Sequence, residues 1–129
     1  MAITLNHTIV PARDKRASAA FITRILGVSF GEPFGHFVPV RINETTSLDY
    51  ANNSELTRMN TSEIIPHHYA FAVDDTEFDA IMERIIEEGL AYYAEPREPR
   101  RYGEINTSRK GRTVYFDDPD GHVMEVMTT

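Results

Sequence analysis

The sequence predicts an α+β fold made of two tandem copies of one unit, each a strand, a helix and three further strands. A strand-like segment containing a histidine opens each half of the chain, at His7 and again at His68. A strand-like segment containing a carboxylate closes each half, at Asp49 and at Glu125. Each half also contains one stretch with helical spacing of apolar residues, and 129 residues are enough to bury a core.

In the first half, residues 3–10 alternate in a way that is typical of a strand. Residues 14–26 carry apolar side chains at helical spacing, and Gly27 follows as a helix stop. Short strands are predicted to complete the unit over residues 28–30, 37–42 and 47–51.

The second half repeats this order after a polar segment that is predicted to be a linker, residues 52–65. A strand is expected from His67 to Val73, and Asp74 or Asp75 can cap the helix that Gly89 ends. Strands are predicted again at residues 90–94, 112–116 and 123–127, separated by a long polar loop at 95–111 and a turn at 118–121. The chain is thus expected to be a single domain of residues 1–129, with module one at 1–51 and module two at 66–129.

The composition limits the classes of function. A net charge of −7 without a basic face argues against nucleic acid as a partner. The sequence contains no apolar run that could span a membrane and no secretory signal pattern, so a cytoplasmic protein that binds a small molecule is expected. Because the chain has no cysteine, any metal ligand or nucleophile must be nitrogen or oxygen.

Strand alternation predicts which way the repeated histidines and carboxylates point. In the strand after the linker, the bulky side chains share the face that packs under the helix, while His68 lies on the opposite face. The same alternation puts His7, Asp49 and Glu125 on the faces turned away from the helices. Two histidines and a carboxylate suit a divalent cation with open coordination positions, so His7, His68 and Glu125 are predicted metal ligands. Asp49 is shorter than Glu and could be a fourth ligand, hold a metal-bound water or act as a general base.

The loop at residues 95–111 is rich in arginine and admits two interpretations. It could be an ordinary solvated surface loop, as charged loops usually are. It could also be a lid whose side chains bind a carboxylate or phosphate of the substrate. The candidate substrate-binding residues are Arg101, Tyr102, Asn106 and Arg109. Tyr115, in the strand that follows, is a candidate catalytic residue, because its neighbours are expected to face the other way.

Several segments together carry a family resemblance, namely Leu5-Asn6-His7, Ile25-Leu26-Gly27, His68–Val73 and Val114–Val126. Through them the chain resembles the vicinal oxygen chelate superfamily, the glyoxalase, bleomycin-resistance and extradiol dioxygenase group. The resemblance implies paired βαβββ modules that form a cupped mixed sheet around a divalent metal, usually in a homodimer. It also implies that His7, His68 and Glu125 are the ligands, with Asp49 where glyoxalases typically have Glu.

Two classes of function follow from this resemblance. One is a metalloenzyme, either a lyase, isomerase or transferase of the glyoxalase type or an enzyme of the extradiol dioxygenase type, acting on a small anionic substrate that chelates the metal through oxygen atoms. Its metal could be Fe, Zn, Ni or Mn. The alternative is a metal-free binding protein of the bleomycin-resistance type, which sequesters a drug. A ligand-sensing module is a third, weaker option.

Overall fold

The computed structural model describes residues 2–56 and 63–128, which form two compact units, Met1–Ile65 and Pro66–Thr129. Each unit contains a small mixed sheet and a helix that packs on it. The predicted α+β class is therefore confirmed. Within the described ranges, no helix is long and apolar enough to cross a membrane.

The elements of the first unit are β1 (His7–Ala12), α1 (Lys15–Leu26), β2 (Ser29–Phe30), β3 (Val38–Arg41), β4 (Ser47–Asn52) and α2 (Asn53–Leu56). The four strands form one sheet in the order β1-β4-β3-β2. Strand β1 runs parallel to β4, and the other neighbours are antiparallel. The short helix α2 occupies the start of the predicted linker, whose residues 57–62 lie outside the described ranges.

Helix α1 lies where the sequence predicted it, and a capping residue fixes each of its ends. The Asp14 side chain accepts hydrogen bonds from the N–H groups of Arg16 and Ala17. Gly27 ends the helix in the left-handed region, with φ of 71°.

Strand β1 differs from the predicted range 3–10, since it begins at His7 and continues to Ala12. Its start coincides with the start of β4, because His7 pairs with Ser47, the first residue of β4. Pro11 is tolerated in the strand because β1 lies at the edge of its sheet and pairs with β4 on one side.

The elements of the second unit are β5 (His68–Val73), α3 (Asp75–Glu87), β6 (Thr113–Asp117) and β7 (Val123–Thr128). The strands form a sheet in the order β5-β7-β6, with β5 parallel to β7. Met124 and Val126 of β7 are fully buried, and α3 packs on that strand. Glu125 between them faces the opposite side of the sheet, as the alternation predicted.

The predicted strand over residues 90–94 is wrong. Tyr93 exchanges a pair of 2.9 Å backbone hydrogen bonds with Tyr115 of β6, and this isolated bridge stands where a fourth strand was expected. The adjacent backbone groups bind the following loop instead, through Gly103 N–H to Tyr92 O and Ala94 N–H to Arg100 O. The next antiparallel pair with β6 would join Glu95 to Thr113, but Thr113 pairs with Asn106 of the loop and the Glu95 N–H binds Arg100 O, so the pairing stops at Tyr93 on this side.

Candidate metal centre

His68 and Glu125 come together on the sheet of the second unit. His68 opens β5, and Glu125 lies in β7 beside Ala70, two residues further along β5. Nε2 of His68 is 2.9 Å from Oε1 of Glu125. The side chain of His68 is 46% exposed and that of Glu125 is 10% exposed. A nearly buried carboxylate therefore meets an imidazole that solutes can reach.

The first unit has the same arrangement of strands around His7 and Asp49. His7 opens β1, and Asp49 lies in β4 beside Ile9, two residues further along β1. Both side chains line a cleft of about 430 Å³. The buried Asp49 carboxylate accepts a 2.8 Å hydrogen bond from the Ser47 hydroxyl, whereas Glu125 is held by its histidine. The two units thus match in register and differ in what binds the carboxylate.

The neighbouring Asn6 orients the ring of His7. Nδ1 of His7 is 2.8 Å from the amide oxygen of Asn6. An amide oxygen can only accept, so Nδ1 carries the proton and Nε2 keeps its lone pair. Metal-bound histidines usually donate their other ring N–H to an oxygen in this way.

The donor atoms fit a divalent cation. Two ligands about 2.1 Å from one ion and at right angles to each other lie about 3 Å apart, close to the separation of His68 and Glu125. Imidazole nitrogen and carboxylate oxygen are ligands that Fe, Zn, Ni and Mn accept. Without an ion, the same separation is a hydrogen bond between the ring and the carboxylate.

Tyr115 and Arg109 lie beside this pair. Tyr115 is the register partner of Glu125, and its ring meets the His68 ring edge-on at 6.0 Å. Nη1 of Arg109 donates to the Tyr115 hydroxyl at 3.4 Å and lies 4.0 Å from Oε2 of Glu125. Burial, and then the charge of Glu125, raise the pKa of Tyr115, while Arg109 opposes the rise. The phenol is therefore protonated at neutral pH and can donate a hydrogen bond.

The other three candidate substrate-binding residues have contacts inside the loop. Arg101 forms ion pairs with Glu95 at 2.9 Å and with Glu104 at 3.6 Å. The buried Asn106 also donates to Glu95, at 2.7 Å. The ring of Tyr102 packs on Tyr93, with ring centroids 5.4 Å apart. These contacts organise the loop, whereas Arg109 reaches the His68–Glu125 pair.

A second cluster of possible ligands lies at the turn before β7, where the sequence predicted only a turn. The side-chain donor atoms of Asp118, Asp120 and His122 lie within 4.8 Å of one another, and the D-x-D-x-H spacing is the signal for it. Nδ1 of His122, however, accepts a hydrogen bond from the backbone N–H of His67. The neutral ring must then carry its proton on Nε2, which leaves it no lone pair for an ion.

The Asp118 side chain stabilises this turn through hydrogen bonds to its backbone. Its Oδ1 accepts hydrogen bonds from the N–H groups of Asp120 and His122, at 2.9 and 2.8 Å. Burial raises the pKa of the Asp118 carboxyl. These contacts explain why the three side chains lie together: they fix the turn that leads into β7, the strand that contains Glu125.

Comparisons with known proteins agree with this geometry. The sequence model of the Glyoxalase/Bleomycin resistance protein/Dioxygenase superfamily matches residues 4–126. Two solved structures, named Oxidase ChaP-H2 and Oxidase ChaP-H1, are 47% and 48% identical to this chain, each with a TM-score of 0.88. The matches cover 100% and 99% of this chain, and 95% and 97% of theirs.

A curated relative matches over a shorter stretch. The metallothiol transferase FosB of Shouchella clausii is 36% identical over 61 residues, which are 47% of this chain. The match spans only 37% of the length of the transferase.

Proposed function

The chain belongs to the glyoxalase/bleomycin resistance protein/dioxygenase superfamily, and we propose that it is a divalent-metal enzyme acting on a small substrate that binds through oxygen atoms. One observation carries the proposal. In both units a histidine opens a strand, and a carboxylate is the register partner of the residue two positions further on. A packing requirement alone gives no reason to repeat this polar pair on the face away from each helix.

The proposed ligands are His7, His68 and Glu125. The bound ion would act as a Lewis acid toward substrate oxygen atoms. Asn6 supports the proposal by fixing the His7 tautomer, and the 2.9 Å separation of His68 and Glu125 supports it by the fit of their donor atoms. The Asp49 carboxylate is proposed to accept a proton from the substrate as a general base.

Arg109 and Tyr115 are proposed to bind the substrate next to Glu125. The Arg109 side chain is 53% exposed, so its guanidinium can bind a carboxylate or phenolate of the substrate. The protonated Tyr115 hydroxyl can donate a hydrogen bond to the same group. Arg109→Gln should weaken binding of anionic chelators such as catecholates to the metal-loaded protein without loss of metal. Equal affinity in the variant and the parent would contradict this role.

We favour oxidation as the reaction, because two relatives that are 47–48% identical over almost the whole chain are named oxidases. Iron is then the favoured metal, because two histidines and one carboxylate with open coordination positions are the ligand set of non-haem iron oxygenases. Transfer to a thiol is a second candidate, supported by the name of the metallothiol transferase over its shorter match. An oxygen electrode separates the two. Oxygen uptake by the iron-loaded protein with a panel of catechols and hydroxyquinones supports oxidation. Thiol consumption without oxygen uptake would favour transfer.

We also propose a homodimer, as the family resemblance implies. Large apolar side chains are exposed in the single chain, among them Phe30, Phe34 and Ile86. Light scattering should give twice the mass of the 14.7 kDa chain. A monomer at all concentrations would contradict the proposal.

Elemental analysis of purified, untagged protein tests the metal centre itself. We expect about one transition metal per chain, lost in His68→Ala. His67→Ala is the matched control. The His67 ring packs against His122 and is not a proposed ligand, so this variant should keep the metal. If no variant binds metal even with excess divalent ions, the enzyme proposal fails and a metal-free drug-binding protein is favoured.

A further inference from the structure

Three tyrosines form a continuous series of ring contacts that begins at His68, with one edge-on, one stacked and one tilted contact, and we call Tyr115, Tyr93 and Tyr102 the tyrosine stack. The Tyr115 ring meets His68 edge-on at 6.0 Å. Tyr93 is stacked on Tyr115 with centroids 5.8 Å apart and planes inclined by 13°. Tyr102 packs on Tyr93 at 5.4 Å. The four rings thus form an unbroken series of aromatic contacts.

Burial changes sharply along the tyrosine stack. Tyr115 and Tyr93 are each 1% exposed, whereas Tyr102 is 59% exposed. One end of the series is therefore a proposed metal ligand, and the other end is in water. A stack that served only to fill the core would not need an exposed last member.

The middle tyrosine has a partner that can take its proton. The Tyr93 hydroxyl donates a 2.5 Å hydrogen bond to Oδ1 of Asp117. Arg100 lies 4.8 Å from the centre of the Tyr93 ring, and its Nη1 is 3.8 Å from Oδ2 of Asp117. A tyrosine that loses an electron also releases its proton, and a positive charge left on a buried ring would be costly. Transfer of the proton to Asp117 keeps the oxidised ring neutral.

We propose that the tyrosine stack carries single oxidising equivalents from the metal centre to the protein surface. The inference rests on the proposed oxidation chemistry at His68. Peroxide that reaches a bound Fe²⁺ ion in the absence of substrate would take one electron from the ion and one from Tyr93, through the Tyr115 ring, and with two protons from solvent would leave as two water molecules. The Tyr93 proton passes to Asp117, which leaves a neutral tyrosyl radical.

The second step returns Tyr93 to its resting state. Tyr102 gives an electron to the Tyr93 radical, which regains its proton from Asp117, while the Tyr102 proton goes to water. A small reductant in solution, such as a thiol or ascorbate, then supplies one electron to Tyr102, which takes up a proton. The path would spare His68 from oxidation, since the oxidising equivalent leaves the centre.

Peroxide treatment of the Fe²⁺-loaded protein tests the path by two readouts other than turnover. Freeze-quench electron paramagnetic resonance detects tyrosyl radicals, and fluorescence detects dityrosine cross-links formed at the exposed Tyr102. Tyr93→Phe keeps the ring but has no phenol proton to give. Tyr69→Phe is the matched control, because Tyr69 follows His68 in β5 but packs against His67 and His122.

The parent protein and Tyr69→Phe should show the radical and the cross-links. Tyr102→Phe should lose the cross-links, and Tyr93→Phe should lose them as well, at equal metal content. Cross-links in Tyr93→Phe at the level of the parent would overturn the proposal, because oxidation would then reach Tyr102 from solution. A metal-loaded parent without any tyrosyl radical would also overturn it.

A photochemical oxidant tests the stack without any metal. Flash-generated tris(bipyridine)ruthenium(III) oxidises exposed Tyr102 from solution, and the parent should share the radical with Tyr93 and so retain it longer than Tyr93→Phe or Asp117→Asn. Equal lifetimes in all three proteins would contradict the inference. A long-lived radical in a protein that binds no metal would instead contradict the proposed function while the stack itself stands.

Discussion

Nε2 of His68 and Oε1 of Glu125 lie 2.9 Å apart across the parallel strands β5 and β7. Glu125→Gln preserves the size of the side chain and an oxygen for hydrogen bonding, but removes the negative charge. Because Glu125 is proposed to bind the ion directly, we expect the affinity for Zn²⁺ or Fe²⁺ to fall at least as much as on loss of an outer-shell partner, which costs about 10–100-fold. Competition with a chromogenic chelator measures it. Unchanged affinity would show that the pair is only a hydrogen bond.

Asn6 should matter for the metal although it is not a proposed ligand. Asn6→Ala removes the acceptor that fixes the tautomer of His7, and we expect metal affinity to fall by about 10–100-fold. Asn6→Asp keeps an acceptor oxygen and serves as the control, since it should retain most of the affinity. If Asn6→Ala and Asn6→Asp lost the same metal affinity, Asn6 would not act by fixing the tautomer of His7.

The sequence predicted those features that depend on neighbouring residues. The α1 boundaries follow from the Asp14 cap and the left-handed Gly27, both of which are local. The opposite faces of His68 and Tyr69 follow from strand alternation alone, and β5 shows that alternation in its burial. The register equivalence of His7 and His68 also follows, because duplicated units pair their strands in the same way.

Contacts that depend on the long loop could not be predicted in this way. The segment 90–94 has the composition of a strand, yet its backbone groups bind residues 100 and 103 of the loop. The approach of Arg109 to Glu125 depends on the path of the whole loop, and nothing in its local sequence separates it from Arg101. The contact between Tyr93 and Asp117 is equally remote in sequence.

Gly111 is expected to be intolerant of any side chain. A Cβ atom at this position would overlap the backbone oxygen of Thr128, a residue held in place by the hydrogen bond from its N–H to Arg112 O. Gly111→Ala should therefore lower the free energy of unfolding by about 1–3 kcal/mol, as measured in urea. Gly31→Ala is the control, because its added Cβ would meet only side-chain atoms, Cδ of Arg41 at 3.1 Å and Cβ of Pro39 at 3.2 Å, which need to shift by only a few tenths of an ångström. Equal stability of the two variants would contradict the steric explanation.

Tyr69 should make the fold sensitive to alkali. Burial, with a smaller contribution from the charge of Asp118, raises the pKa of Tyr69 from 10.0 to about 12. Since the folded state holds this proton more tightly than the unfolded state, the stabilisation is complete below pH 10 and is lost as pH rises to about 12. Tyr69→Phe should flatten this part of the curve of unfolding free energy against pH. If the free energy of unfolding fell with pH as steeply in Tyr69→Phe as in the parent, Tyr69 would not cause the sensitivity to alkali.

Anomalous diffraction from crystals of the Zn²⁺- or Fe²⁺-loaded protein tests most directly whether His7, His68 and Glu125 bind one ion. We expect one ion per chain, bound by His7, His68 and Glu125 at about 2.0–2.2 Å. An ion at Asp118, Asp120 and His122 instead would contradict it. There Oδ2 of Asp118 has no hydrogen-bond partner among residues 2–56 and 63–128. An ion bound to His68 and Glu125 without His7 would equally contradict it, since the two histidines would then not share one metal.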